Sequence, residues 1–302
     1  MHIGIEIGGT KLQVVTDNGQ GRIGERFRFG VEKEAGAEGI LRHIQTALSQ
    51  IDGPVRAVGV GFGGPVDGET GRIAASHQIN GWAGFGLTDW LKQQTEAERI
   101  RVENDANVAA LGEARHGAGK GFRRVFYITL GSGVGGGMVV DGQLYRGASP
   151  GEAEIGHIRL DKHGKTLESV CSGWAVDKDV RRTVSELPTG STLKRLVGDR
   201  ISGEARFLIP ALQQGDGCAR RILDRVCDDL AFGLSHVVHL FHPDVIVLGG
   251  GLSLMGEPLR AGVENQLPEY VMSAFHPVSS VRLAALGEDV VPTGALALLL
   301  GE

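Results

Sequence analysis

Apolar residues alternate at the start of the chain, with Ile3, Ile5 and Ile7 on one side of a strand and Gly4 and Glu6 on the other. Gly8-Gly9-Thr10-Lys11 interrupts the run and Leu12 to Thr16 resumes it, which predicts a β-hairpin with a glycine tip. Residues 21 to 29 suggest a third strand, and Ile40, Leu41, Ile44, Leu48 and Ile51 recur at helical spacing over 36 to 51. Ala57 to Phe62 returns as a strand and runs into Gly63-Gly64-Pro65-Val66-Asp67. Ser76 to Leu87 reads as a loop, with Gln78 and Asn80 as a polar edge beside Trp82 and Phe85. Such an edge suits a sugar face, and Trp82 suits equally an ordinary buried anchor. Ile100 to Glu103 is again a strand, and from Ala106 the residues Val108, Ala109, Leu111 and Ala114 mark a helix closed by Gly117.

The second half repeats the opening scheme. Val125 to Leu130 is a strand, Gly131-Ser132-Gly133-Val134-Gly135 a turn, and Gly136 to Val140 a strand. The spacing is too long for a solenoid repeat, so a duplicated domain core is expected. A polar region of helices and a variable loop runs to about Arg200, followed by helices over 203 to 213 and 217 to 241, the second amphipathic through Ile222, Leu223, Val226, Leu230, Leu234 and Val238. Val245 to Leu248 is a short apolar strand ending in Gly249-Gly250-Gly251, and a strand near 281 to 286 and a helix from Thr293 to Leu300 follow. Strands and helices so interleaved define an α/β protein.

Composition narrows the class. The chain has 302 residues, enough for two ordinary domains, with 41% hydrophobic and 22% charged residues. No stretch of eighteen apolar residues and no block of like charge occurs, so no membrane partner is expected. A net charge of −5 supplies no footprint for nucleic acid. Cys171, Cys218 and Cys227 form no Cys-x-x-Cys pair, and the strand pattern at His2 leaves no room for a secretory signal, so a cytoplasmic location is expected. The 48 glycines fall in clusters, which points to tight turns or close approach of main chain to a ligand.

Chemistry concentrates at four places. Asn104 and Asp105 stand where a strand hands over to a helix, so they serve either as a helix cap or as ligand-facing groups beyond a strand's carboxyl end. The tip Gly8-Gly9-Thr10 offers main-chain N–H groups to a phosphate, with Glu6 directed to an accompanying metal, or is a plain hairpin turn. Gly59-x-Gly61-x-x-Gly64 and Gly131-x-Gly133-x-x-Gly136 spell the dinucleotide pattern, but neither opens a helix, so that reading is set aside. Glu154 and His157 are spaced as a metal pair, as two hydrogen-bonding arms for vicinal hydroxyls, or as ordinary surface residues.

Taken in this order, Glu6-Ile7-Gly8-Gly9-Thr10-Lys11, Gly61 to Val66, Val102 to Glu113, Leu130 to Gly137, Glu154-Ile155-Gly156-His157 and Val247 to Ser253 resemble the ROK family of sugar kinases and related repressors. The resemblance implies a two-domain actin-like, hexokinase-like ATPase fold with a duplicated ribonuclease H-like core and an interdomain cleft. Residues 1 to 104, completed by a C-terminal helix over 293 to 302, would form the smaller domain, and residues 105 to 292 the larger. Asp105 is then the expected general base, and Asn104, Glu154, His157 and Glu168 the expected sugar contacts. Gly8, Gly9, Thr10, Lys11, Gly131, Ser132, Gly133, Gly249, Gly250 and Gly251 make up the nucleotide site, with ATP and Mg²⁺ as cofactors and Glu6 toward the metal. A homodimer is implied.

Two departures from the family pattern stand out. Glu6 replaces the usual Asp. The zinc loop of the family is absent, since only Cys171 remains between His157 and Trp174, and a structural zinc needs four ligands, so no zinc is expected. Gln78 and Asn80 compete for the place of the family's Asn. The expected reaction is phosphorylation of a hexose, glucose foremost, at its terminal hydroxyl. The alternative is a noncatalytic sugar sensor, while a repressor would carry a DNA-binding motif ahead of the hairpin that here begins at His2.

Overall fold

The computed structural model describes residues 1–17, 22–76, 78–148 and 153–300. Twelve strands and ten α-helices are assigned among them: β1 (His2–Ile7), β2 (Lys11–Asp17), β3 (Ile23–Gly30), α1 (Gly36–Leu48), β4 (Ala57–Phe62), β5 (Val66–Asp67), β6 (Arg72–Ile73), α2 (Leu87–Gln94), β7 (Arg99–Asn104) and α3 (Asp105–His116). There follow β8 (Arg124–Leu130), β9 (Val134–Val140), β10 (Gln143–Leu144), α4 (Glu168–Cys171), α5 (Gly173–Glu186), α6 (Thr192–Val197), α7 (Leu208–Gln213), α8 (Gly217–Phe241), β11 (Val245–Gly249), α9 (Glu257–Tyr270), β12 (Ser280–Leu283) and α10 (Val290–Ala297). No helix among the described residues is long and apolar enough to cross a membrane.

The expected duplication appears as two five-stranded sheets of matching order, β3-β2-β1-β4-β7 and β10-β9-β8-β11-β12. In the first, β1 is antiparallel to β2 and parallel to β4, which is parallel to β7. In the second, β11 runs parallel to both β8 and β12, and the short connection after β8 makes β8 and β9 a hairpin.

By their contacts the residues fall into two units, Met1–Gly121 with Gly137–Ala153 and Leu286–Glu302, and Phe122–Gly136 with Glu154–Ala285. The helix α3 therefore lies inside the first unit, beyond the boundary expected at residue 104, because it packs with α10 on the first sheet.

That packing follows from the strand pattern. Ile3, Ile5, Ile7, Val58, Val60 and Phe62 are buried in one core with Ile40 and Ile44 of α1 and Leu87 and Leu91 of α2. Glycines occur where other side chains would crowd an approaching helix. A β-carbon on Gly4 would stand 2.9 Å from the Pro292 carbonyl oxygen and one on Gly61 2.5 Å from Val291 Cγ1, while one on Gly59 would overlap the Ala295 carbonyl. The helices α3 and α10 also touch main chain to main chain, Gly112 against the Val290 carbonyl (2.7 Å for a β-carbon) and Gly294 against that of Val108. The fully buried Glu113 carboxylate pins the same corner, accepting the Ala118 N–H at 2.7 Å and the Leu286 N–H at 2.9 Å.

The closing helix starts at Val290, three residues earlier than its periodicity suggests, because Pro292 in the first turn lacks only an N–H that would have no intrahelical partner. The strand expected to reach 286 ends at Leu283. In the second unit, α8 and α9 pack together, with Gly262 seated over Cys227.

Alanine normally stabilises a helix relative to glycine by up to about 1 kcal/mol. At Gly294 the sign should reverse, because the added methyl overlaps main chain of α3. Gly294→Ala is expected to cost about 1–3 kcal/mol in urea denaturation.

Candidate functional site

The register of the first sheet builds the site. Ile7 pairs with Phe62 and Phe62 with Asn104, so the three parallel strands end in one row. The next residues in the row are Gly8, Gly63 and Asp105. The Gly63 N–H donates to the Ile7 carbonyl at 2.8 Å, and a β-carbon on Gly63 would lie 3.4 Å from Asp105 Oδ2 and 3.7 Å from Gly8 Cα. The Asp105 carboxylate thus stands beside the turn after β4, close to the start of the Gly8-Gly9 tip.

Asn104 is a helix cap, one of the two readings open from the sequence. Its Oδ1 accepts the Ala106 N–H at 2.9 Å and the Asn107 N–H at 3.4 Å, and its Nδ2 donates to the Gly64 carbonyl at 3.1 Å. The cap fixes where α3 begins and hence where Asp105 projects. Behind it lies a residue that sequence reasoning passed over. Glu103, 4% exposed, accepts the Asn104 N–H at 3.0 Å through Oε1 and pairs with Arg146 Nε at 2.9 Å through Oε2. Glu103 falls in period-two step with the exposed Arg99 and Arg101 of β7, so the alternation carried no signal of its burial, and its partner lies 43 residues away.

At the tip, the Gly8 N–H closes the turn on the Lys11 carbonyl at 3.0 Å. Glu6 holds two partners, Lys11 Nζ at 3.2 Å and Gln13 Nε2 at 2.5 Å. Gln13 is itself fully buried and takes Arg28 Nε at 2.9 Å on its carbonyl oxygen. Gln78 and Asn80 are held at different places. The Gln78 carboxamide lies over the tip, where a β-carbon on Gly9 would overlap its Oε1, while the Asn80 carbonyl receives the Ala37 N–H at 2.9 Å at the start of α1. Trp82 is 1% exposed and packs edge-on against Phe62 and Phe85, so its ring is an anchor and not a sugar platform.

In the second unit the elements gather at the end of β8. The turn after it is closed by Gly131 N–H to the Gly133 carbonyl at 2.9 Å, and α5 abuts it through Gly173 N–H to the Gly131 carbonyl at 2.7 Å. Glu168 covers the turn, its Oε2 accepting the Val134 N–H at 2.8 Å. Gly156 presses on Val134, with a β-carbon 3.1 Å from its carbonyl carbon, which brings the 154–157 segment to the same place. Glu154 Oε2 and His157 Nδ1 are 3.5 Å apart, with side chains 61% and 74% exposed. Gly250, at φ +78°, sits on Leu130, with a β-carbon 2.5 Å from its nitrogen, so a side chain there is excluded by both space and conformation.

Cys171 is fully buried with its Sγ at 3.8 Å from the Val226 carbonyl oxygen, and burial pushes its thiol pKa up. No group of three His, Cys, Asp or Glu side chains that could hold a metal ion occurs among the described residues.

Beside the same turn opens a cavity of about 560 Å³ that also touches Gly131, Ser132, Gly173 and Gly251. Its walls are mostly apolar, with Trp174, Ile209, Pro210, Leu252, Leu254 and Met255 among them. It is assembled from segments far apart in sequence, so only its glycine end was legible there.

Mixed sheets with glycine turns at their carboxyl ends, and carboxylates beside them, make an α/β protein with its polar groups gathered where such sheets bind ligands. The chain belongs to the ROK family, which it matches over residues 2–302. It is 33% identical over 307 residues to the glucokinase of Thermotoga maritima, with 98% of this chain and 96% of that one covered. The kanosamine kinase of Amycolatopsis mediterranei is 30% identical, covering 98% and 95%. A ROK glucokinase from Streptomyces griseus, solved with glucose and AMPPNP, superposes with a TM-score of 0.84 at 31% identity over 99% of both chains. The fold is thus the actin-like, hexokinase-like one of ROK sugar kinases.

Removing the cap tests the local architecture without reference to catalysis. Asn104→Ala is expected to lower unfolding free energy by about 1 kcal/mol, and Asn104→Ser, which also loses the bond to Gly64 but keeps a capping oxygen, by clearly less. Paired urea titrations check this, and equal losses for the two variants would contradict the capping role.

Proposed function

We propose that this ROK-family sugar kinase transfers the γ-phosphoryl group of ATP to the terminal hydroxyl of a hexose, glucose foremost, with Asp105 as the general base. The observation that carries the reading is the Asp105 carboxylate held at the ends of three parallel strands, in the row of Gly8 and Gly63. The glucokinase relatives, and the AMPPNP and glucose in the Streptomyces griseus enzyme, support the donor and the acceptor.

In this reading the sugar oxygen attacks the γ-phosphorus, the bond from that phosphorus to the bridging oxygen of ADP breaks, and the hydroxyl proton passes to Asp105. Asn104, Glu154, His157 and Glu168 position the sugar, and Gln78 joins them as the amide nearest the tip. The Gly8-Gly9-Thr10-Lys11, Gly131-Ser132-Gly133 and Gly249-Gly250-Gly251 segments receive the nucleotide. The N-terminus of α5, next to Gly131, adds the favourable end of a helix dipole for phosphate. A homodimer in the cytoplasm, without nucleic-acid partners, completes the proposal on the strength of the family and the acidic balance.

Magnesium fits the donor set. Glu6 is a hard oxygen ligand of the kind Mg²⁺ takes, and its ion pair with Lys11 would yield to the metal. When bound, Mg²⁺ would neutralise charge on the phosphates. Glu6→Gln is expected to raise the Mg²⁺ concentration for half-maximal turnover several-fold, and an unchanged requirement would remove Glu6 from the metal.

The base assignment is tested by Asp105→Asn. Turnover is expected to fall at least about 10²-fold while calorimetry still detects glucose binding. Near-normal turnover would exclude the role. Wild-type protein that binds glucose without consuming ATP would instead be the noncatalytic sensor, and a screen that includes amino sugars would decide the acceptor.

A further inference from the structure

Four arginines meet at the edge of the first sheet, in a place that the proposed reaction leaves unused. Arg99 and Arg101 stand two positions apart on β7, an outer strand of that sheet, so their side chains leave it on one face. With Arg115 of α3 and with Arg146 they line a hollow of about 70 Å³, which Gln143 of β10 also borders. No Asp or Glu among the described residues lines it. All five positions belong to the first unit.

Some of these cations hold main chain. Arg115 Nη1 donates to the Ala297 carbonyl at 2.7 Å and to that of Leu300 at 2.9 Å, while its Nε and Nη2 donate to the Gly142 carbonyl at 3.0 and 2.8 Å. Arg99 Nη2 donates to the Leu299 carbonyl. Carbonyls satisfy N–H donors but bring no net charge, so capping the end of α10 does not neutralise either guanidinium. Arg146 Nε pairs with Glu103 at 2.9 Å, and Arg101 adds a further positive charge beside Arg99. Burial lowers the Arg115 pKa, as it does for a cation held with less solvent around it.

The hollow is small beside an ordinary organic-ligand pocket of about 300–1,000 Å³, and larger than one water's share of about 30 Å³. That size suits a single tetrahedral oxyanion. The planar fork of a guanidinium matches two oxygens of such an ion at once. From this we infer that the hollow between Arg99, Arg101, Arg115 and Arg146 is a binding site for a phosphate group, carried by orthophosphate or by a phosphate monoester. The site is separate from the Asp105 row and does not depend on the role given to that residue.

Calorimetric titration of the whole protein with orthophosphate, at fixed ionic strength, is expected to give a saturable dissociation constant on the order of 1 mM or tighter. Chloride lacks the oxygens to fill the forks and is expected to bind at least about tenfold more weakly. Phosphate held no tighter than chloride would mean a diffuse positive surface and would overturn the inference. Glycine turns can also take up phosphate, so two variants locate it. Arg101→Gln is expected to weaken binding about tenfold or more, the factor that corresponds to one lost charge-assisted hydrogen bond. Gln143→Glu leaves every arginine in place and sets a carboxylate at the rim, and is expected to weaken binding at least as much, by about tenfold. Affinity unchanged in either variant places the ion elsewhere and overturns the inference. Glucose 6-phosphate separates the two sources: a heat that both variants diminish and that exceeds orthophosphate in affinity assigns the site to a monoester, and weaker binding assigns it to the free ion, each outcome supporting a phosphate site.

Discussion

The seating of α10 and α3 on the glycine-bearing strands governs the rest of the first unit. Gly4 and Gly59 let the α10 main chain, and Gly61 the Val291 side chain, approach the sheet at distances that a β-carbon would forbid. Gly112 and Gly294 bring the two helices equally close to each other. Interiors are close-packed and respond to one methyl group by moving neighbours. The helix α3 begins with Asp105, so the position of that carboxylate is set partly by contacts far along the helix from it.

A second regularity is that the polar side chains of the site mostly hold main chain in place. Asn104 takes two N–H groups of α3, Glu103 takes that of Asn104, and Glu168 takes that of Val134. Such groups have their positions fixed before a ligand arrives, which limits reorganisation during reaction. It also means that Glu168 has one oxygen committed to the glycine turn, so a ligand reaching this side chain would meet a group already held by main chain.

Much of this was legible in the chain, for identifiable reasons. The hairpin of β1 and β2, the buried run of β4 and the long α8 have strong period-two, all-apolar or helical patterns, and each lies where its pattern predicts. The Asn104-Asp105 junction was legible because a strand pattern gives way there to a helix pattern. The start of α10 was not, because Pro292 looks like a boundary although a first turn tolerates it. Gln78 and Asn80 sit in a loop without a period, and only tertiary contacts separate the one over Gly9 from the one at α1. The Glu103–Arg146 pair and the apolar cavity are products of folding, joining residues that nothing in the linear order relates.

The candidate acceptor and donor groups differ in kind, and that difference has consequences for specificity. Asp105, Asn104, Glu154, His157, Glu168 and Gln78 all present nitrogen or oxygen, the atoms that hydroxyl groups meet. The donor cavity presents mainly Trp174, Leu252, Leu254, Met255 and their neighbours. A polar group penalises a wrong ligand only if binding strips its water and returns no partner. Glu154 and His157 are well solvated as they stand, so they could discriminate only against a ligand that covers them. Apolar walls leave no such unpaired groups, so discrimination in that cavity falls to Ser132, Asp177, Arg206 and Gln213 among its lining. The two surfaces therefore differ in the means of selection open to them, the one through hydrogen-bonding groups left unpaired by a wrong ligand and the other mainly through shape.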